Sequence, residues 1–290
     1  MKCGLCPRHC GVDRTQKKGV CGAADKLIVA RAGLHFWEEP CFSGSGGSGA
    51  IFFSGCPLKC VFCQNSVISH GMRGREISEE RLAEIFDELI WQGADNINLV
   101  TPTHFSDIIA RVLEKHRPSV PVIYNCGGYE DVEALKRLEG LIDIYLPDLK
   151  YMSAELAKKF SAAPDYPEKA KAALDEMYRQ TGKYILDDEG LMQRGMLIRH
   201  LQLPGHTGNT LDTIDYISSH FGKNVLFSIM SQYTPPEKPL PYPELMRRLT
   251  QEEYDSVCDY IMLCGAENGF MQELSSAEKE YTPEFDLSGV

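Results

Sequence analysis

The sequence predicts an α/β fold: six β/α units around a parallel sheet, preceded by a small cysteine-rich metal-binding segment. Two observations predict it. From Ala50 onward, short apolar β-prone runs alternate with amphipathic stretches of helical period. Before that point, Cys3, Cys6, Cys10 and Cys21 crowd a short glycine-rich stretch that has little apolar content of its own. Six units are too few for a closed eight-stranded barrel. The chain therefore divides into residues 1–45 (cysteine-rich segment), 46–270 (main β/α domain) and 271–290 (polar tail).

Taken in order, the spacing Cys3-x2-Cys6-x3-Cys10-x10-Cys21 suits a closed tetrahedral zinc site or an iron–sulfur cluster. The ligand set leaves both open. A thioredoxin-type pair, Cys3 with Cys6, lacks the preceding strand and would leave Cys10 and Cys21 without a role. Lys26–Trp37 contains a strand. Gly44–Gly49 satisfies G-x-G-x-x-G, but it precedes a strand instead of following one, so it reads as a flexible connector. Strands follow at 50–54, 96–101, 120–126, 142–147, 195–203 and 224–231. Helices lie between them. Ser78 caps the first, whose apolar face is Leu82, Ile85, Phe86, Leu89 and Ile90. Others fall near 105–116, 130–139, 153–161, 166–180 and 210–221, and a last one covers 251–264. Residues 184–192 read as a hairpin with a charged tip, and the tail from Ser275 as loose.

The formal charge is 30 − 41 = −11, which argues against an extensive nucleic-acid surface. The N-terminus has no apolar leader region, and no run approaches the roughly 18 apolar residues of a membrane span. Eleven cysteines without an export signal fit metal-bound thiols in a reducing cytoplasm.

The most informative stretch is Phe53-Ser54-Gly55-Cys56-Pro57-Leu58-Lys59-Cys60-Val61-Phe62-Cys63-Gln64-Asn65, at the end of the first of the six strands. Three thiolates on one loop can hold three corners of an iron–sulfur cube, and no fourth cysteine follows at ferredoxin spacing. A metal left with one open position is poised for chemistry. The C-x3-C-x2-C spacing, with aromatic Phe62 before the third cysteine, resembles the signature of the radical S-adenosylmethionine (SAM) superfamily. The resemblance implies a partial (β/α)6 barrel and a [4Fe-4S] cluster on Cys56, Cys60 and Cys63 that binds SAM at its fourth iron. Cys-Pro-Arg-His-Cys-Gly-Val-Asp-Arg near the N-terminus, His35-Phe36-Trp37-Glu38-Glu39-Pro40, and Asn98-Leu99-Val100-Thr101-Pro102-Thr103-His104 resemble the pyruvate formate-lyase activating enzyme-like proteins of the PflX type.

In barrels of parallel strands, functional residues gather at the C-terminal strand ends. Thr101-Pro102-Thr103 stands where many family members carry Gly-Gly-Glu-Pro, so the resemblance puts SAM contacts at Thr101 and Thr103. A helix N-cap is a compatible role for Thr103, and His104 reads as a surface histidine. Asn125, followed by two glycines, is implied as a ribose or methionine contact. Asp148 and Lys150 share one face and can orient a zwitterion. Arg199, flanked by apolar residues, points inward and suits the SAM carboxylate, or an internal carboxylate such as Asp148. His200 faces the other way.

The function implied is reductive cleavage of SAM to methionine and a 5′-deoxyadenosyl radical, which takes a hydrogen from a substrate. In the PflX-type reading that hydrogen belongs to a separate glycyl-radical protein, and the electron comes from a donor such as flavodoxin or ferredoxin. Another peptide, small-molecule or nucleotide substrate is the alternative. A non-catalytic Fe–S electron carrier is a third reading; a fourth ligand at the central loop would mark it.

Overall fold

The computed structural model describes residues 2–266, 268–274 and 283–290. Strand β1 (Leu27–His35) lies antiparallel to β2 (Ser48–Phe53). The cysteine loop follows, then the single turn α1 (Ser66–Ser69) and β3 (Arg75–Ile77), which pairs antiparallel with β1. Regular units come next: α2 (Glu79–Trp91) with β4 (Asn96–Val100), α3 (Ser106–Lys115) with β5 (Val122–Cys126), and α4 (Val132–Lys136) with β6 (Ile144–Pro147). Helices α5 (Ala154–Ser161) and α6 (Tyr166–Thr181) and the short strand β7 (Ile185–Leu186) lead into β8 (Met192–Leu201). Then come α7 (Thr207–His220), β9 (Leu226–Met230), α8 (Gln251–Cys264) and β10 (Gly269–Met271).

The sheet order is β10-β9-β8-β6-β5-β4-β2-β1-β3, with β7 paired only to β8. It is open, as a partial barrel requires. The six predicted strands are β2, β4, β5, β6, β8 and β9, and each is parallel to its neighbour. Their apolar runs are explained by burial on both faces: β2, β5 and β6 are buried throughout. A fully buried Ile51 or Phe53 contributes about 1.5–3 kcal/mol. Helix α2 begins where predicted, with the Ser78 hydroxyl accepting from Arg81 N–H and Leu82, Ile85, Phe86 and Leu89 buried against the sheet.

Four features differ from expectation. The glycine stretch is not a loose connector. Ser48 and Gly49 already belong to β2, and a Cβ on Gly46 would lie 1.9 Å from the Gly93 carbonyl oxygen. Glycine there permits close backbone approach. His104 is buried, not on the surface: its Nε2 meets the Ser54 carbonyl at 2.8 Å. Part of the expected loose tail, 275–282, lies outside the described residues. Beyond it, 283–290 docks on the sheet: Phe285 packs edge-on against Phe52, Ser288 and Ala30 carbonyls accept from Ala32 and Leu287, and Asp286 pairs with Arg31. Finally, β3 and β10 extend the sheet beyond the predicted strands; at three residues each they are too short to show a period.

The N-terminal segment is held by turns, with Cys3 N–H donating to Val12 and His9 N–H to the Cys6 carbonyl. Arg8 anchors it to the main domain. Its guanidinium donates to the carbonyls of Pro57 (2.9 Å), Ser161 (2.7 Å) and Ala162 (2.5 Å) and lies over the Tyr129 ring. Arg14 likewise donates to the carbonyls of His104 and Ala24.

Candidate active site at the strand ends

Strand β2 delivers the chain into the cysteine loop through Gly55. That residue has φ = +96°, and a Cβ on it would approach Cys21 O to 2.8 Å and His104 Nε2 to 2.9 Å. Only glycine fits this turn without displacement. Cys56 N–H then donates to the Cys21 carbonyl (3.2 Å), so the two cysteine-bearing segments touch through their backbones. Cys63 N–H donates back to Cys60, and α1 starts directly after.

The three thiols have distinct surroundings. Cys60 is buried and its Sγ accepts from Ser161 Oγ at 3.1 Å, with Tyr151 OH 2.8 Å behind it. Cys63 Sγ accepts from Ser69 Oγ at 3.3 Å. Burial, then the neighbouring Cys60, pushes the Cys56 thiol up to about 12. Burial likewise raises Cys63. Three thiolates this close repel one another, and a cationic metal core removes that penalty. Hydroxyl donors to Sγ are the contacts that stabilise ligating thiolates.

The later strand ends converge on the same space. Asp148 and Arg199 form a bridge between the ends of β6 and β8. Lys150 Nζ lies 2.5 Å from Asp148 Oδ2, and Arg199 Nε lies 3.3 Å from Asp148 Oδ1. Arg199 also donates to Glu38 Oε2 (3.1 Å) and Asn125 Oδ1 (2.6 Å), while Asn98 donates to Glu38 Oε1 (3.0 Å). All four charged side chains are less than a fifth exposed. Burial would raise the Asp148 carboxyl, but Lys150 and Arg199 hold it below the ordinary carboxylate value. Burial pulls the Lys150 ammonium down, yet Asp148 and then Cys60 outweigh it and the net shift is upward. Arg199 follows the same pattern, with Asp148, Glu39 and Glu38 as its anions. Tyr166 locks this corner: its hydroxyl accepts from Lys150 N–H (2.9 Å) and lies within hydrogen-bond reach of the Gly127 and Asp148 carbonyls.

Cys56, Cys60, Cys63, Thr101, Asn125, Asp148, Lys150 and Arg199 all line one cavity of about 260 Å³, open on one side. Its wall also includes Glu38, Glu39, Phe62, Gln232 and Gln272. Thr103 is placed apart. It is buried, and its hydroxyl donates to Glu130 Oε1 at 2.6 Å; it does not cap α3. Glu130 also accepts from Tyr124 OH, and burial pushes its carboxyl up to about 7. His200 is structural, its ring between the Leu149 carbonyl and Thr210 Oγ1. Cys3, Cys6, Cys10 and Cys21 lie outside the cavity but near one another: a Cβ on Gly19 would be 3.4 Å from both Cys10 and Cys21 Sγ. Burial pushes the Cys6 thiol up to about 12 and raises Cys21. Among the described residues no three His, Cys, Asp or Glu side chains close on one point as ligands of a single ion. Cubane ligation is a different geometry, in which each cysteine bonds its own iron.

Glu38 and Glu39 were not among the sequence-derived site residues. Their signal was present: two adjacent acids beside Trp37 and Pro40, ahead of an entirely buried strand. Asn98, a fully buried polar residue within β4, is the matching sign on the sheet.

The cavity fits a cluster and SAM. Three thiols, two of them with hydroxyl donors, occupy one part and a zwitterion-sized set of paired charges another. Comparisons with known proteins agree. The chain is 30% identical over 267 residues to the uncharacterized protein MJ0674 of Methanocaldococcus jannaschii, covering 89% of this chain and 73% of that one. Among solved structures it resembles a radical SAM methyltransferase from Sphaerobacter thermophilus, with TM-score 0.54, 13% identity, and 78% of this chain and 66% of that one covered. It also resembles Streptococcus suis SuiB, with TM-score 0.50, 16% identity and 80% of this chain covered. It spans about half the length of SuiB. At these identities the solved structures speak for the fold. The family model of the Radical SAM superfamily matches residues 50–217, more than half of the sequence. This chain therefore belongs to the radical SAM superfamily, whose members use a [4Fe-4S] cluster and SAM.

Proposed function

We propose that Cys56, Cys60 and Cys63 hold the [4Fe-4S] cluster and that Thr101, Asn125, Asp148 and Lys150 hold SAM beside it, with Arg199, which the sequence offered as a SAM contact, bracing Asp148 and Asn125. The observation that carries this reading is the single cavity that the three cysteines share with the Asp148–Lys150–Arg199 network. When bound, the cluster and SAM would supply reductive SAM cleavage and, through it, radical abstraction of a substrate hydrogen atom. The chain's own residues position and exclude. Asp148 is an acceptor for an ammonium and Lys150 a donor for a carboxylate, so the pair can orient the amino-acid end of SAM. Arg199 is engaged on all sides by Glu38, Asp148 and Asn125, so it acts as the brace that aims Asp148 and Asn125. Thr103 is tied to Glu130 and takes no part in the cavity wall. Leu58, Phe62, Leu201 and Met230 supply an apolar wall that limits water.

Cys3, Cys6, Cys10 and Cys21 would hold a second metal centre, iron–sulfur or zinc. The Cys21 carbonyl to Cys56 N–H contact would place it directly behind the first. The N-terminal and Glu-Glu-Pro motifs support a PflX-type activity. The substrate would then be a peptide segment, in the specific case the glycyl-radical loop of a partner protein, with flavodoxin or ferredoxin as the electron donor. SuiB, a fold relative, has been solved bound to its precursor peptide SuiA, which favours a peptide over a nucleotide here.

The test is 5′-deoxyadenosine formation by anaerobically reconstituted protein with dithionite. Wild type forms it and Cys60→Ala does not. Turnover persisting in Cys60→Ala would overturn the cluster assignment. Iron and sulfide counts give about eight irons for two cubane clusters, or about four irons plus one zinc if the N-terminal site is structural.

A further inference from the structure

The charge of this chain is unevenly placed. Residues 1–26 carry six Lys and Arg against two Asp, 6 − 2 = +4, while residues 27–290 carry 24 − 39 = −15. Four thiolates around a dicationic metal core would add two negative charges to the first figure, and the segment would still be positive on a strongly negative molecule. Some of its cations are spent internally. Arg8 and Arg14 donate to backbone carbonyls, and Lys26 pairs with Glu76 at 2.5 Å. Lys17 and Lys18 are exposed and form no side-chain ion pair among the described residues. Of the two acids, Asp13 accepts from Thr15 and Asp25 is exposed.

Lys17 and Lys18 lead into the turn that carries Cys21. That turn is closed by Gly19 N–H donating to the Ala23 carbonyl and Gly22 N–H to the Gly19 carbonyl, both at 2.9 Å. Val20 on the turn is 49% exposed. The cluster loop adds cations on the same side: a Cβ on Gly22 would lie 2.8 Å from Met72 Sδ and 3.8 Å from Lys59 Nζ, and exposed Arg73 follows Met72. The turn therefore presents an apolar residue among lysines, the core-and-rim pattern of a protein interface. Directly behind it, the Cys21 carbonyl accepts from Cys56 N–H at 3.2 Å. A partner seated on the turn is one backbone hydrogen bond from the three-cysteine loop.

We propose that this basic turn, Lys17 to Cys21 with Lys59 beside it, is the docking surface for an acidic one-electron carrier protein. Reductive SAM chemistry needs an electron from outside the chain, and the net negative charge of residues 27–290 turns an acidic carrier away from the rest of the surface. One electron leaves the carrier's reduced flavin or iron–sulfur centre and reduces the oxidised cluster; no bond forms or breaks. This assignment rests on the cluster reading of Cys56, Cys60 and Cys63 and deepens it by placing the donor.

The test uses the iron-loaded holoenzyme under anaerobic conditions. Calorimetry measures its binding to a bacterial flavodoxin, to a plant-type [2Fe-2S] ferredoxin and to a DNA duplex of about 20 base pairs, at about 50 and about 500 mM NaCl. Wild type is expected to bind at least one carrier at low salt and to lose roughly tenfold or more at high salt. Lys17→Glu/Lys18→Glu is expected to weaken the carrier roughly tenfold or more at low salt. Lys183→Glu/Lys223→Glu makes the same change of net charge at the opposite end of the strands, before β7 and β9, and is expected to weaken it less than about threefold. Both variants are expected to cleave SAM like wild type with dithionite, a small reductant that needs no docking surface. Wild type that binds neither carrier overturns the proposal without any variant. So does equal weakening in the two double variants, and so does DNA bound by wild type as tightly as the carriers and released by Lys17→Glu/Lys18→Glu, which would assign the patch to nucleic acid. Absence of SAM cleavage by wild type with dithionite would instead strike the cluster reading.

Discussion

Replacing Asp148 by asparagine removes the charge at the centre of the buried network while keeping its shape. Two cations lose a partner: Lys150 at 2.5 Å and Arg199 at 3.3 Å. At an effective dielectric of about 20, each contact is worth roughly 5–7 kcal/mol of gross attraction. Most of that offsets the cost of burying the ions, so the net loss on breaking the network is about 3–5 kcal/mol. Arg199 keeps Glu38 and Asn125. Lys150 keeps no carboxylate, and its escape is to lose its proton. Doing so at pH 7 from an ordinary lysine value costs about 5 kcal/mol, which caps the effect. Urea unfolding of the metal-free protein at pH 7 measures it. Asp148→Asn is expected to lose about 3–5 kcal/mol, and adding Lys150→Met is expected to restore at least about 1.5 kcal/mol of that. The sign with pH follows from the depressed Asp148 carboxyl. Its contribution is present above the ordinary carboxylate value of 3.8 and is lost as pH falls through the lower folded value, so the gap between wild type and Asp148→Asn narrows in acid. A loss under about 1 kcal/mol at pH 7, or a double variant no more stable than the sum of the singles, would refute the reasoning.

Other perturbations test neighbouring parts of the molecule. Glu130, raised to about 7 against 4.5 unfolded, favours the folded state most below pH 4.5 and loses that favour, about 3 kcal/mol, as pH rises through 7. Glu130→Gln should flatten this slope in denaturation curves at pH 5 and 8. Tyr166→Phe leaves the Lys150 N–H without its acceptor and should cost about 1–3 kcal/mol in the same assay. Arg8→Met removes three carbonyl contacts and should make residues 2–25 sensitive to limited proteolysis while the rest stays resistant, as mass spectrometry of the fragments would reveal.

The parallel strands were legible because burial on both faces leaves an unbroken apolar run, as in Ala50–Phe53 and Ile144–Leu146. Helix α2 was legible from Ser78 and its apolar spacing. The site was legible where chemistry is local: three cysteines on one loop, and Asp148 with Lys150 two residues apart. Glu38 and Glu39 were not, because their partners Asn98, Arg199 and Ser228 stand far along the chain and only the strand order across the sheet brings them together. Thr103 carried the opposite ambiguity. A threonine at a strand end can face the mouth or the core, and here the buried acceptor Glu130 draws it into the core.

By itself the sequence determined the class of fold and the three-cysteine loop, since both rest on periodicity and spacing over a few residues. Tertiary structure decided which charges meet, because that depends on the order of strands across the sheet. It made Arg199 a brace within a carboxylate network. It seated the N-terminal cysteines against Cys56 through one backbone hydrogen bond. It also set Glu39 beside Arg199 and Ser228, a placement that belongs to the assembled sheet and to no stretch of the chain.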